Sequence, residues 1–165
     1  MAEILAIDIV GADYHGKVEK NIIYRLNRKP SIITNYPYLV VCEKIDQMLS
    51  PSIADIFVVK DIKKINANLK KNKVKKGIGL EVTIADLRKA DGLQVGKWFN
   101  QIRGLYKFCK SSNCQLILSS GANSALEMVS GRSFDSILKI CDINPERYWR
   151  ELELWIESKR RIRCL

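Results

Sequence analysis

Three consecutive segments do most to fix what this chain can fold into: Gly77 to Thr83 (GIGLEVT), Leu93 to Lys110, and Gln115 to Ser119 (QLILS). The outer two are short apolar runs closed by polar residues or glycine, the pattern of buried strands. Between them, Trp98, Ile102, Leu105 and Cys109 fall on one face of a helical repeat, with Asn100, Arg103, Lys107 and Lys110 on the other. Strands that are apolar on both faces need cover on both faces, and a parallel sheet obtains it from the helices that connect its strands. Glu81 is the exception within its strand, and a rim Arg or Lys would have to pair with it if it is buried.

The rest of the chain extends the alternation. Glu3 to Val10 (EILAIDIV), Ser31 to Thr34, Tyr38 to Cys42 and Asp55 to Val59 also read as strands, which makes six candidates. Lys17 to Lys29 is mixed and basic, with Ile22, Ile23 and Leu26 at near-helical spacing. Glu43 to Leu49 suits one or two helical turns stopped by Ser50-Pro51, and Asn144-Pro145 opens a last helix to about Lys159 that buries Tyr148, Leu152 and Trp155. Six strands are fewer than the eight of a complete (β/α) barrel, so a shortened barrel and an open doubly wound sheet both remain. No repeat or linker divides the chain, so residues 1–165 form a single domain with a basic tail over 159–165.

After QLILS come Ser119-Ser120-Gly121-Ala122, then Ser124 and Glu127 at the spacing of a capping box. The expectation is a strand feeding a helix N-terminus, which is an ordinary βα turn or an anion site. Ser130 to Ser133 should interrupt that helix, with Ser133 capping a second one from Phe134 to Ile140.

The formal charge of +10 is concentrated. Residues 60–76 carry eight lysines against Asp61, a net of +7, and residues 159–163 add +4, so everything else nets −1. Two such runs point to a polyanion, and without interleaved Trp or Phe they suit nucleic acid better than a membrane surface. The run over 60–76 reads as a short helix or a mobile loop. No apolar stretch approaches the ~20 residues of a membrane span, and no basic-then-apolar leader is visible, so the expected location is cytoplasmic. The five cysteines form no C-x-x-C pair and His15 is the only histidine, which leaves no zinc spacing; Cys42 and Cys109 read as core residues.

The ordered set Gly79-Leu80-Glu81-Val82-Thr83-Ile84-Ala85-Asp86-Leu87, then Leu116-Ile117-Leu118-Ser119-Ser120-Gly121-Ala122, then Met128, Arg132 and Phe134 to Leu138 resembles ribonuclease P protein component 3, a subunit of the archaeal and eukaryotic enzyme. It covers residues 77–160 well and 1–76 loosely. The resemblance implies a TIM-barrel-like (β/α) barrel related to the polymerase-and-histidinol-phosphatase (PHP) group of metal hydrolases, shortened or incomplete. Those hydrolases need an H-x-H at the end of the first strand. Here that strand ends Asp8-Ile9-Val10, and one histidine cannot build a multinuclear metal site. The resemblance thus implies a non-catalytic protein that supports a catalytic RNA in removing the 5′ leader of precursor tRNA. No cofactor would be bound by the protein, and Mg²⁺ would sit at the RNA catalytic site. Implied partners are the ribonuclease P RNA, protein component 2 in a two-plus-two heterotetramer, other protein subunits and, indirectly, precursor tRNA.

The residues expected to meet RNA are Lys60, Lys63, Lys64, Arg88, Arg103, Lys107, Ser119, Ser120, Arg132, Arg160 and Arg161. Arg132 leads because it lies in the predicted helix break near the Ser-Ser-Gly-Ala turn, and Arg88 follows the LEVT strand. Ser119 and Ser120 offer backbone N–H groups or merely shape the turn. Two other classes compete: a reduced hydrolase holding one divalent ion on Asp8, Asp13, His15 and Glu81, and a generic basic nucleic-acid-binding protein.

Overall fold

Contiguous β-branched and aromatic residues set the strands. In the computed structural model, which describes residues 7–11, 14, 22–29, 37–43, 54–60 and 77–161, they form β1 (Asp8–Val10), β2 (Ile22–Leu26), β3 (Tyr38–Cys42), β4 (Ile56–Val58), β5 (Gly79–Thr83) and β6 (Gln115–Ser119). Three α-helices follow among the described residues: α1 (Gly92–Ser112), α2 (Gly131–Ile140) and α3 (Pro145–Arg161). The strands lie side by side in sequential order, each neighbouring pair parallel. Parallel crossovers are right-handed, so connections that always step the same way fall on one face and the sheet curls around the other. A doubly wound sheet reverses its strand order partway; this one does not.

The sheet is nearly barrel-shaped. Its edges approach each other where Gly11 N donates to Ala122 O at 2.8 Å and Ser120 N donates to the Asp8 carboxylate at 2.9 Å. No strand ladder joins β6 to β1 among the described residues. The phenol of Tyr148 instead accepts a hydrogen bond from Leu118 N at 2.8 Å, on a ring that is fully buried. A side chain of α3 thus does for the β6 edge what a seventh strand would do.

Register sorts the side chains. Ile9 lies opposite Ile23, Arg25 opposite Leu39, Val41 opposite Ile56, and Val58 opposite Glu81, which in turn faces Ile117. Because side chains alternate along a strand, this set shares the inner face. Leu80, Val82, Leu116 and Leu118 take the other face and join one core with Trp98, Ile102, Leu105 and Cys109 of α1 and Leu152 and Ile156 of α3. Gly79 lies on the inner face with Glu81 and is required there: a Cβ would come within 2.4 Å of the Ile117 methyl and 3.0 Å of the Trp155 ring.

Several sequence expectations change. Ile22 to Leu26, helical in spacing, is a strand paired in parallel with β1 and β3, and Ile22, Ile23 and Tyr24 are all buried, as in a sheet covered on both faces. Ser31 to Thr34 lies outside the described residues, as do residues 61–76. The helix expected after Ser124 is one 3-10 turn, Ala125–Glu127: the Ser124 side chain makes no cap bond, and Glu127 accepts from Asn123 N at 2.7 Å. Ser130 rather than Ser133 caps the next helix, accepting from Ser133 N, so α2 begins at Gly131. The Asn144-Pro145 start holds, with Asn144 accepting from Arg147 N at 2.9 Å.

Candidate functional site

Arg25 and Ser119 lie toward the C-terminal ends of β2 and β6, and Glu81 at the centre of β5 meets both. Glu81 is fully buried; Ser119 Oγ donates to its Oε1 at 2.5 Å, and Arg25 Nη2 approaches its Oε2 at 3.0 Å. The arginine contact is one of charge, since Oε2 has no partner in hydrogen-bond alignment. Burial pushes the Glu81 carboxyl up, Arg25 and Ser119 pull it back, and the carboxylates of Asp8 and Glu43 add to the rise. The cation that makes the buried glutamate tolerable is therefore part of the protein. It comes from β2, a segment whose lone charge in IIYRL was the available signal; sequence alone could not show the register that brings it to β5.

Asp8 serves the seam. Its Oδ1 accepts from Ser120 N and from Ile9 N at 2.8 Å, while Oδ2 has no hydrogen-bond partner among the described residues. Burial raises its carboxyl above the usual range, and the bonds from Ser120 and Ile9 only partly offset this. Ser120 Oγ accepts from Ala122 N, shaping the turn that passes through Gly121 at φ 62°. Of the two readings of Ser119 and Ser120, the structure favours shaping the turn: both are buried and their hydroxyls are engaged within the barrel.

Beyond this network a cavity of about 530 Å³ opens at the ends of β2 to β5. Arg25, Glu43, Lys60, Thr83 and Trp98 line it, together with the Val58-Val59 pair. Lys60 pairs with Glu43 at 2.6 Å, both side chains more than half exposed, and the ammonium holds the Glu43 carboxyl below its ordinary range. The indole N–H of Trp98 is buried without a hydrogen-bond partner among the described residues. Of these lining residues, sequence singled out Lys60, as one expected to meet RNA; Arg25, Glu43 and Trp98 were missed as site residues.

The remaining cations divide into those already engaged and those that are not. Arg103, expected on a wet helix face, binds the end of α2 instead: it donates to Ile140 O and meets Asp142 at 2.9 Å, so its charge caps a helix C-terminus. Arg88 donates to Glu127 O and ties the turn after β5 to the turn after β6. Arg132 is in the first turn of α2, not in a break, and is exposed. It and Lys107 have no side-chain partner among the described residues. Lys63, Lys64, Asp13 and His15 lie outside the described residues, as do the side chains of Arg160 and Arg161.

Among the described residues, no group of three or more His, Cys, Asp or Glu side chains is placed to hold a metal ion, and no helix is long and apolar enough to cross a membrane. Set against models of known protein families and against curated proteins, the chain matches none.

Proposed function

We propose that this chain is a non-catalytic, RNA-binding subunit of ribonuclease P, a shortened TIM-barrel-like relative of component 3 acting in 5′ maturation of precursor tRNA. The observation that carries the reading is the interior of the barrel. Where a barrel hydrolase presents carboxylates to metal ions, Glu81 is held by Arg25 and Ser119, and Asp8 by backbone N–H groups of the seam. A guanidinium on Glu81 competes directly with a divalent ion for the same oxygen. Support also comes from the juxtaposition of β5 and β6, which sets the two segments carrying the family resemblance side by side.

On this reading the protein works through its outer charge. Lys107, Arg132 and the lysines of 60–76 neutralise RNA phosphates and release counterions, which stabilises the folded RNA, while Mg²⁺ belongs to the RNA. Lys107 and Arg132 have no side-chain partner among the described residues, which leaves both available to a phosphate.

The test is recovery of the tagged protein from native extract, paired with assay of the pure chain. A tRNA-processing RNA accompanied by small basic proteins, and no phosphoester turnover under any divalent metal, are the expected results. Metal-dependent turnover abolished by His15→Ala would instead establish the hydrolase built on Asp8, Asp13, His15 and Glu81. Recovery of the protein with no such RNA would leave a generic nucleic-acid binder.

A further inference from the structure

The mouth cavity carries more than the scaffold role asks of it. Arg25 has five N–H donors, yet its polar contact among the described residues is one unaligned approach to Glu81. Its side chain keeps about 20% exposure and lines the cavity. Glu81 behind it fixes where the guanidinium sits without using up its donors. Lys60 lies on the same wall, its ammonium engaged by Glu43 through a solvent-exposed ion pair, a kind of contact worth little in water and readily exchanged. Thr83 adds a hydroxyl, and the Trp98 ring lines the wall, its buried indole N–H without a hydrogen-bond partner among the described residues.

Three donors, two of them cationic, ask for an anion with several acceptor oxygens. A guanidinium suits phosphate through paired N–H···O bonds, and the ammonium adds a point charge. Once Lys60 turns to an incoming anion, Glu43 becomes a free acceptor at the rim, suited to a hydroxyl or amino group on the same ligand. The volume falls within the range of small-molecule sites, and the ends of parallel strands are where such sheets place ligands. We propose that this cavity binds a phosphate monoester of mononucleotide size through Arg25, Lys60 and Thr83, against the ring of Trp98, with Glu43 accepting from its sugar or base. The group arrives either as a free nucleotide or as the 5′-phosphorylated end of an RNA strand.

The experiment follows the indole N–H resonances of ¹⁵N-labelled protein during titration with AMP, adenosine, and a short RNA bearing either a 5′-phosphate or a 5′-hydroxyl. Trp98→Phe, which keeps a ring but removes the donor, assigns the Trp98 signal. A saturable shift of that signal by AMP and not by adenosine is expected, with affinity falling about five- to tenfold in Lys60→Gln. A shift by the 5′-phosphorylated RNA and not by AMP also supports the site and names the RNA end as its ligand. No shift with either phosphorylated probe, an equal shift with adenosine, or unchanged affinity in Lys60→Gln overturns the proposal. If that happens while long-RNA binding persists, the cavity proposal fails and the scaffold reading stands. If AMP binds but long RNA does not, the reverse holds.

Discussion

The buried carboxylates of the sheet are compensated: Glu81 meets Arg25 and Ser119 on the inner face, and Asp8 meets the N–H groups of Ile9 and Ser120 at the seam. Outside, on α1 and α2, the pattern splits. Arg103 is anchored to Ile140 and Asp142, while Lys107 on the same helix and Arg132 on the next are exposed without a partner among the described residues. The difference separates charge that holds the barrel together from charge available to something else. Burial forces compensation, because an unpaired ion in the core is too costly to keep. Solvent imposes no such demand, so an uncompensated surface cation is free to meet a phosphate.

The strongest way to break this comparison is to remove the interior cation. Arg25→Ala leaves Glu81 fully buried with no counter-charge and should cost about 3–5 kcal/mol in denaturant unfolding. The double change Arg25→Met with Glu81→Leu should return stability to within about 1 kcal/mol of the parent or above it. An Arg25→Ala protein as stable as the parent would show that the pair does not hold the barrel.

The pH dependence sharpens the same point. Burial places the folded Glu81 carboxyl above its ordinary value of 4.5, so the folded state binds the proton more tightly than the unfolded chain. The resulting destabilisation is absent below that value and grows as pH rises through the folded one. Losing Arg25 raises the carboxyl further. The stability gap between Arg25→Ala and the parent should therefore narrow as pH falls from 7 toward 4.5; a constant gap contradicts the assignment.

Next in size is the seam. Tyr148→Phe keeps the buried ring but strands the Leu118 N–H, at a cost of about 1–3 kcal/mol by thermal unfolding. A smaller loss than this range would mean that water or backbone closes the β6 edge unaided.

The smallest effects separate the two kinds of surface cation. Arg103→Gln should lower stability by about 1 kcal/mol and leave RNA binding unchanged. Arg132→Gln should stay within about 0.5 kcal/mol of the parent yet reduce the salt slope of RNA binding by about one. Filter binding across a salt series reads both, and the opposite pairing of outcomes would invert the division.

What could be read in advance followed from how far each signal extends along the chain. The buried face of α1 was legible because its periodicity runs over five turns' worth of residues, roughly 18 at 3.6 per turn. β2 was not, since Ile22, Ile23 and Leu26 satisfy a helical and a strand spacing equally well within five residues. Ser130 and Ser133 both suit a cap, and only the backbone decides between them. Seam and interior depend on pairs distant in sequence: Asp8 and Ser120 are 112 residues apart, and no local pattern links them. Glu81 could be singled out as needing a cation, but naming Arg25 required the register. Serines 119 and 120 were legible as a special turn, and their burial favours that role over a phosphate contact.

The measurement that tests the central claim most directly is the salt dependence of RNA affinity, with four lysines of residues 60–76 replaced by glutamine. The account predicts a steep loss of affinity with salt for the parent and a slope reduced by up to about four units in the variant, with unfolding unchanged. A slope identical in the two proteins would contradict it, because the chain's main excess of positive charge would then lie away from the RNA.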